Sequence, residues 1–394
     1  MRLVYVCADR GIPLDGTKGA SVHVRQTVGA LRRAGVDVTL AATRPGSGGG
    51  LDARIVPPPS RRRGSGHEVD DVLAEFAAGR TLVERTLETV DAPVDAVYER
   101  LSLWSLAGVA LAERLAAPLV LEINAPLVDE ASRWRGLALA SLAREIEETV
   151  VRRADAVVCV SSPLCRRAER IRGGAAGVHL FSNPVDLDRF AARGPARDAG
   201  PRSPVTVAFV GSLKPWHGTH DLVVAFSRAR AREPRLRLLV IGDGPERPAM
   251  ERLAERHGVA GAVEFTGPVP HDEVARRLAA SDIGVAPYPP LDDFYFSPMK
   301  LAEYCAAGLA VVATSAGDLD GLLEHGKTAL RVAPGDRAGL ADALARLAGD
   351  GRLRARLGSA ARALAESRLS LDAATDRLLS LVGSLRGRRA AGAC

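Results

Sequence analysis

The 394-residue sequence contains no run of about 18 apolar residues, the length that a membrane-spanning helix requires. Residues 1–8 predict the start of a strand, which argues against a signal peptide. The cysteines are few, odd in number and without a C-x-x-C pair. We therefore expect reduced thiols in a cytoplasmic protein, and neither a disulfide framework nor a zinc site. The cysteines stand at Cys7, Cys159, Cys165, Cys305 and Cys394.

Aromatic residues make up only 4% of the chain, but apolar residues make up 47% and charged residues 25%, as in folded globular proteins. A chain of this length exceeds one compact core, so two domains of about 150–200 residues are expected. The net charge is +6, and arginine greatly outnumbers lysine. This excess is compatible with an anionic ligand or an acidic surface, but a solvated surface on an arginine-rich chain is the favoured interpretation.

Apolar strand-like segments alternate with amphipathic helical segments in both halves of the chain. This pattern predicts an α/β fold of two doubly wound, parallel-sheet (Rossmann-like) domains that face a central cleft. The first half has predicted strands at 3–8, 38–42, 94–98, 119–123 and 156–160, and helices at 21–34, 68–90, 103–116 and 129–153. The second half has predicted strands at 205–210, 236–241, 262–266 and 283–286, helices at 219–232, 246–257 and 271–280, and a helical tail from about 336.

Two segments lack this alternation. Residues 45–66 are rich in Pro, Gly and Arg and predict an exposed loop, and residues 187–204 carry Pro, Gly and charge in the manner of a linker. We therefore expect an N-terminal domain at 1–186 and a C-terminal domain at 205–375. A tail at 376–394 could return to the N-terminal domain.

The segment Tyr295–Ala313, YFSPMKLAEYCAAGLAVVA, predicts a loop, a short helix and a buried strand. Ser297 can cap the helix, Pro298 fits its first turn, and Gly308 can end it in a left-handed conformation. The backbone N–H groups at such a helix start attract anions.

Lys300 and Glu303 lie three residues apart on this helix and therefore on one face. Lys300 adds a positive charge to the anion site, while the Glu303 carboxylate can accept hydrogen bonds from a pair of sugar hydroxyls. An anion site beside such a carboxylate predicts a pocket for a nucleotide sugar.

The loop after the first strand, DRGIPLDGTKGASVHV, lies where ligands bind in open α/β sheets. Gly16 and Gly19 allow close backbone approach, and the next helix offers a positive N-terminus. The loop does not match G-x-G-x-x-G, so nicotinamide binding is not supported. A plain glycine-rich turn explains these residues equally well.

Three further turns follow strands in the second half. In VGSLKPWHG, Gly211 lets a phosphate approach the backbone, and Lys214 and His217 supply positive or hydrogen-bonding groups, while a packing role is favoured for Trp216. In VIGDGPE and TGPVP, backbone geometry is the simpler explanation for Gly242 and Gly244, and the Val269 backbone either pairs with a nucleobase edge or belongs to a rigid turn.

As an ordered series, these motifs resemble those of the family-4 retaining glycosyltransferases of the GT-B fold over nearly the whole chain. The residues that carry the resemblance are the G-T-K-G loop, ADAVVCVS (154–161), SNPVDLDRF (182–190), GSLKPWHG (211–218), GDGP (242–245), GPVP (267–270) and SPMKLAEY (297–304).

The resemblance implies that the C-terminal domain holds a nucleotide-sugar donor and the N-terminal domain an acceptor. Glu303 would bind the ribose hydroxyls, and Lys300, Lys214 and the backbone near Gly211 and Gly19 would hold the diphosphate. Lys214, Lys300, Glu303 and Asn124 are thus the implied catalytic residues. The implied donor-binding residues are Gly16, Gly19, Gly211, His217, Gly242, Val269, Tyr295, Ser297, Pro298 and Met299.

The sequence departs from the family pattern at two positions. The family often has two glutamates separated by seven residues, but the first of these positions is Tyr295 here. A histidine that commonly follows the fourth strand is replaced by Asn124, with Glu122 two residues earlier. We therefore expect an altered donor-sugar pocket and a preference for a modified sugar over plain glucose.

We expect transfer without an enzyme nucleophile or a cofactor, because basic side chains and backbone amides can stabilise the departing diphosphate. We also expect no obligatory metal, since no D-x-D cluster ends a strand of the donor half. The adjacent Asp292 and Asp293 would point to opposite faces of a strand-like segment. UDP is the favoured nucleotide and GDP the next. The acceptor class is left open among small molecules, saccharides and lipids, with no nucleic acid, at most peripheral membrane contact, and a monomer or homodimer.

Three alternatives stay open at this stage: a nucleotide-sugar epimerase, a hydrolase that transfers the sugar to water, and a catalytically degenerate subunit that only binds the nucleotide sugar. An acceptor-dependent product separates the first two from a transferase, and donor binding without turnover identifies the third.

Overall fold

The computed structural model describes residues 1–46, 51, 54–56, 68–190 and 203–392. The first half forms a seven-stranded sheet in the order β3-β2-β1-β4-β5-β6-β7, with every pairing parallel. Its strands are β1 (Arg2–Cys7), β2 (Asp37–Ala42), β3 (Arg54–Ile55), β4 (Ala96–Arg100), β5 (Leu119–Ile123), β6 (Ala156–Cys159) and β7 (Val178–Leu180). Its helices are α1 (Gly19–Arg33), α2 (Glu68–Thr89), α3 (Ala107–Arg114), α4 (Leu127–Arg135), α5 (Ala140–Arg153) and α6 (Ser162–Arg172).

The second half forms a six-stranded parallel sheet in the order β10-β9-β8-β11-β12-β13. Its strands are β8 (Val205–Val210), β9 (Leu236–Ile241), β10 (Val263–Gly267), β11 (Ile283–Ala286), β12 (Ala310–Thr314) and β13 (Ala329–Val332). Its helices are α7 (Thr219–Arg232), α8 (Arg247–Arg256), α9 (His271–Ala279), α10 (Met299–Ala306), α11 (Leu319–Leu322), α12 (Arg337–Gly349) and α13 (Gly351–Arg368), before the terminal α14 (Leu371–Gly392). The predicted pair of doubly wound α/β domains is confirmed.

Continuous apolar strands place a core on each face of both sheets. All but the first residue of β1 and of β2 are buried, because helices cover a parallel sheet on both sides. Among the described residues, no helix combines the length and apolarity needed to cross a membrane.

The terminal helix crosses back to the N-terminal domain. Leu378, Val382 and Leu385 of α14 pack into the core around β1 and α1. Arg386 and Arg389 form ion pairs with Asp95 and Asp155, at 2.9 and 3.1 Å. The end of the chain is thereby fixed to the domain in which the chain begins.

Several segments differ from their sequence-based predictions. The predicted helix 129–153 is two helices, because Gly136 and Leu139 adopt positive φ angles of 65° and 51° between α4 and α5. The tail from about 336 is three helices, and α6, β7 and β13 were not predicted.

The two segments predicted to be irregular are also partly structured. Within the predicted loop 45–66, β3 pairs with β2 and Val56 is buried, while most of the loop lies outside the described residues. In the predicted linker, Phe190 is buried against the C-terminal core.

Candidate functional site

Two helix N-termini, one from each domain, lie opposite each other at the carboxyl ends of the parallel strands. A Cβ atom added to Gly19 at the start of α1 would lie 3.7 Å from Met299 Sδ at the start of α10. Gly16 has a local reason to be glycine, because a Cβ atom there would lie 2.9 Å from the Pro13 carbonyl oxygen. The glycine-rich loop therefore combines a tight turn with a close approach between domains.

The start of α10 differs from its prediction by one position. Pro298 occupies the N-cap and Met299 is the first helical residue, so Ser297 stands before the helix. The prediction that Ser297 caps α10 is wrong, since its Oγ accepts a hydrogen bond from the Asn183 backbone N–H at 2.8 Å. With no side-chain cap, the first amides of α10 are available to a ligand. The left-handed Gly308 is confirmed, with φ of 68°.

Lys300 places a buried ammonium group beneath this helix start. Its Nζ lies 4.2 Å from the Phe209 ring centroid and 5.4 Å from that of Tyr288. It has no hydrogen-bond partner among the residues that the structure describes, and burial lowers the pKa of Lys300 to about 7. A bound anion would favour the charged form of such a group.

Gly211 brings the end of β8 to the same ammonium group. Its φ is +135°, and a Cβ atom there would lie 3.2 Å from Lys300 Nζ. Gly242 and Gly244 approach the same loop, since added Cβ atoms would lie 2.2 Å from the Gly211 oxygen and 2.4 Å from the Leu213 oxygen. Backbone packing therefore accounts for Gly242 and Gly244, and the Gly211 backbone is left beside the lysine.

Glu303 has a partner that the sequence analysis missed. Its Oε1 lies 2.8 Å from His271 Nε2, and both side chains are almost fully buried. His271 begins α9 directly after the G-P-V-P turn that contains the half-buried Val269. The signal available in the sequence was a histidine at a helix start after a strand end. This imidazole holds the Glu303 carboxylate in a fixed orientation.

The GSLKPWHG loop brings Lys214, Trp216 and His217 to the same edge of the sheet. His217 Nδ1 donates to the Ser212 carbonyl, which leaves Nε2 as an acceptor. Burial, with Lys300 and Lys214 nearby, lowers the pKa of His217 to about 3. His217 is therefore a neutral hydrogen-bonding group. Lys214 Nζ lies 5.7 Å from the Trp216 ring centroid.

The N-terminal side carries a buried polar cluster at the ends of β4 and β5. His23 Nε2 lies 2.6 Å from Glu122 Oε1, and Arg100 Nη1 lies 3.7 Å from Glu122 Oε2. Burial alone would raise the pKa of Glu122, but His23 and Arg100 together hold it below its usual range. Arg100 also donates to Asn124 Oδ1, while Asn124 Nδ2 is buried with no partner in the described ranges. Glu122 is therefore engaged within the protein, and the Asn124 amide keeps one open donor.

Tyr295 makes two contacts with the N-terminal domain. Its hydroxyl donates to the Glu130 carboxylate, and its carbonyl oxygen accepts from Ser161 Oγ at 2.6 Å. Burial and the neighbouring Glu130 raise the pKa of Tyr295.

Two adjacent acidic residues lie in the segment before α10. Asp292 and Asp293 lie exposed in an irregular segment, so the predicted strand-like alternation is wrong. Within the described ranges, no group of three His, Cys, Asp or Glu side chains could hold a metal ion.

Two family models match successive parts of the chain. The one described as Glycosyltransferase Family 4 matches residues 17–189, and the one described as Glycosyl transferases group 1 matches residues 204–350. The junction between the matches falls where the first sheet ends and the second begins.

Curated relatives are similar over part of their length. Glycogen synthase of Mycobacterium tuberculosis is 30% identical over 241 residues, which span 60% of this chain and 56% of that protein. The GDP-mannose-dependent alpha-(1-6)-phosphatidylinositol monomannoside mannosyltransferase of the same organism is 31% identical over 237 residues, 58% of this chain and 61% of that protein. The chain thus matches somewhat more than half the length of these relatives.

Solved structures share the fold over nearly the whole chain. Sucrose-phosphate synthase from Thermosynechococcus elongatus superposes with a TM-score of 0.72 at 20% identity, covering 98% of this chain and 99% of that one. HepE from Anabaena, solved in complex with UDP and glucose, superposes with a TM-score of 0.73 at 18% identity, covering 98% and 100%. The architecture is therefore GT-B.

Proposed function

The chain belongs to glycosyltransferase family 4, and from this we propose that it transfers a sugar from a nucleoside-diphosphate sugar to a hydroxyl or other nucleophilic acceptor. The proposal rests chiefly on one observation: within the part of the chain that the structure describes, the buried Lys300 ammonium has no hydrogen-bond partner, and it lies beside Gly211 and the uncapped start of α10. A diphosphate would supply this ammonium group with an anionic hydrogen-bond partner.

The Glu303–His271 pair supports recognition of the donor ribose. His271 engages one side of the carboxylate at 2.8 Å, and the remaining lone pairs can accept from two neighbouring hydroxyls. The carboxylate lies one helical turn from Lys300, the spacing that a ribose and its attached phosphate would bridge.

In this proposal the departing diphosphate is stabilised by Lys300, Lys214 and backbone amides, which are most effective when its negative charge grows. The acceptor attacks from the face that the diphosphate leaves, so the configuration of the sugar is retained without an enzyme nucleophile. The protein needs no divalent ion, because the two lysines meet the charge that a metal would meet.

Activity should therefore survive excess EDTA. A complete loss of activity that one divalent ion restores would contradict this.

We propose UDP as the favoured donor nucleotide and GDP as the next. The HepE structure contains UDP and glucose, while a mannosyltransferase relative is named as GDP-mannose-dependent. A thermal-shift panel of UDP, GDP, dTDP and ADP tests this choice. A ligand present at about 100 times its dissociation constant adds about 2.7 kcal/mol to the free energy of unfolding.

The activity is tested by incubating the protein with a preferred nucleotide sugar and a panel of hydroxyl acceptors. A glycosylated product that requires the acceptor supports the transferase. Free sugar formed at an acceptor-independent rate indicates a hydrolase, and an epimerised nucleotide sugar indicates an epimerase. Donor binding without any turnover indicates a binding subunit.

The buried, unpaired thiols of Cys7 and Cys305 suit our further proposal of a cytoplasmic location.

A further inference from the structure

One face of α4 contacts the C-terminal domain at two places. Glu130 and Trp134 lie four residues apart and therefore on the same side of this helix. The Glu130 carboxylate accepts the Tyr295 hydroxyl, and the Trp134 ring centroid lies 5.2 Å from that of Trp216. A single nine-residue helix thus reaches both the segment before α10 and the GSLKPWHG loop.

The helix itself is held firmly in the N-terminal domain. Val128 is completely buried, and Arg167 Nη1 lies 2.6 Å from the Asp129 carboxylate and its Nη2 2.7 Å from that of Glu147. Since α4 is anchored in this way, its contacts with Tyr295 and Trp216 restrain one domain against the other.

The aromatic contact continues to a lysine of the proposed donor site. The Arg133 guanidinium lies 4.9 Å from the Trp134 ring centroid, and Lys214 Nζ lies 5.7 Å from that of Trp216. Each indole thus contacts one cation and the other indole, so the position of Trp134 limits where Trp216 and Lys214 can lie.

We propose that Glu130 and Trp134 of α4, with Tyr295 and Trp216, form an interdomain latch that holds the cleft closed and positions Lys214. In this inference Tyr295 and Trp216 are positioning residues. The latch can form only when the two domains approach, and its release opens the cleft to substrate entry. The part that concerns Lys214 rests on the proposed function, whereas the latch itself does not.

The two indoles provide a direct spectroscopic readout. Tryptophan rings in contact give an exciton couplet in circular dichroism, which is assigned here by its loss in Trp134→Phe and in Trp216→Phe. The informative variants are Tyr295→Phe and Glu130→Gln, which keep both indoles and remove only the polar contact. Glu113→Gln is the matched control, because Glu113 pairs with Arg153 on the surface of the same domain.

We expect Tyr295→Phe and Glu130→Gln each to weaken the couplet and enlarge the radius of gyration in solution scattering. The double variant should add nothing further, since both substitutions remove one contact. In turnover, each should lower kcat by about three- to tenfold with a smaller change in KM. Glu113→Gln should match the wild type throughout.

An unchanged couplet and scattering profile in both variants would overturn the latch, whatever happens to turnover. The two substitutions are conservative and lie in different domains. If one variant does not fold, the other variant still tests the latch. A couplet that responds as expected in a protein without transferase activity would overturn only the proposed function.

Discussion

In the C-terminal domain the Lys300 ammonium has no hydrogen-bond partner among the described residues, whereas in the N-terminal domain His23 and Arg100 each pair with Glu122. Both clusters are buried at the carboxyl edge of a parallel sheet. A buried charge without a partner is costly, while a paired one is compensated. An anionic ligand would therefore stabilise the charged form of Lys300, whereas the charges of the N-terminal cluster already compensate one another.

This difference predicts which of the two clusters is more sensitive to substitution in its effect on binding and turnover. Removing a group that would contact the ligand directly affects binding and turnover. Removing a member of an ion-paired cluster acts first on local structure and only then on the ligand. We therefore expect larger kinetic effects in the C-terminal site, and a reversed ranking would break the comparison.

The largest effect is expected for Glu303→Ala. If Glu303 binds the ribose as proposed, this substitution leaves two hydroxyls without an acceptor, and kcat/KM should fall by about 100-fold or more. Steady-state kinetics with the preferred donor measure it, with thermal unfolding to check the fold. Glu264→Ala is the control, since Glu264 is a surface partner of Arg277 in the same domain. Wild-type kinetics in Glu303→Ala would remove this residue from the site.

The next effect concerns Lys300 and pH. The unliganded pKa of Lys300 is about 7, and a bound diphosphate would raise it. Above pH 7 the lysine must therefore gain a proton on binding, and donor affinity should decline as pH rises, by up to about tenfold per unit. The measurement is calorimetry of donor binding at several pH values. An intact nucleotide sugar is used, because it has no terminal phosphate group whose own titration would change the affinity with pH.

The control for this pH dependence is Lys300→Met, which keeps the packing on Phe209 and removes the charge. This variant should bind the donor more weakly and show no decline in affinity above pH 7. A wild-type affinity that stays constant between pH 7 and pH 9 would contradict the assignment of Lys300 as a titrating anion ligand.

A smaller effect is expected for Lys214→Ala, because Lys214 is only half-buried and its charge is partly screened. If the lysine meets charge that grows as the diphosphate departs, kcat should fall by about tenfold while KM changes less. The surface residue Lys327, paired with Glu324, provides the control substitution Lys327→Ala. A change confined to KM would make Lys214 a ground-state anchor.

The sequence predicted the backbone architecture and the positions of Lys300 and Glu303 on one helix, because periodicity and helix spacing are local properties. The chain has only four lysines among its 53 basic residues, and Lys18, Lys214 and Lys300 all border the cleft. This scarcity was an available signal, since lysine, unlike arginine, readily changes its pKa when buried.

Contacts between distant segments could not be predicted in this way. His271 lies 32 residues from Glu303, and Glu130 lies 165 residues from Tyr295. Ser297 shows the same limit, because a hydrogen bond from Asn183 replaces the local cap that its sequence context favours. These pairings depend on how the two sheets are brought together, which no local pattern records.

The smallest effect is expected at Asn124, whose substitution tests the N-terminal cluster in the way that Glu303→Ala tests the C-terminal one. Its Oδ1 is engaged by Arg100, and only Nδ2 is open to a ligand. Asn124→Asp keeps an oxygen for Arg100 but removes the amide donor, so kcat/KM should fall by about fivefold, the value of one neutral hydrogen bond. Asn124→Ala also releases Arg100, and it should lower the melting temperature as well as kcat/KM. If Asn124→Asp instead reduces kcat/KM as severely as Glu303→Ala, the N-terminal cluster is part of the substrate site, and the contrast between the unpartnered Lys300 and the ion-paired Glu122 does not predict the size of the kinetic effect.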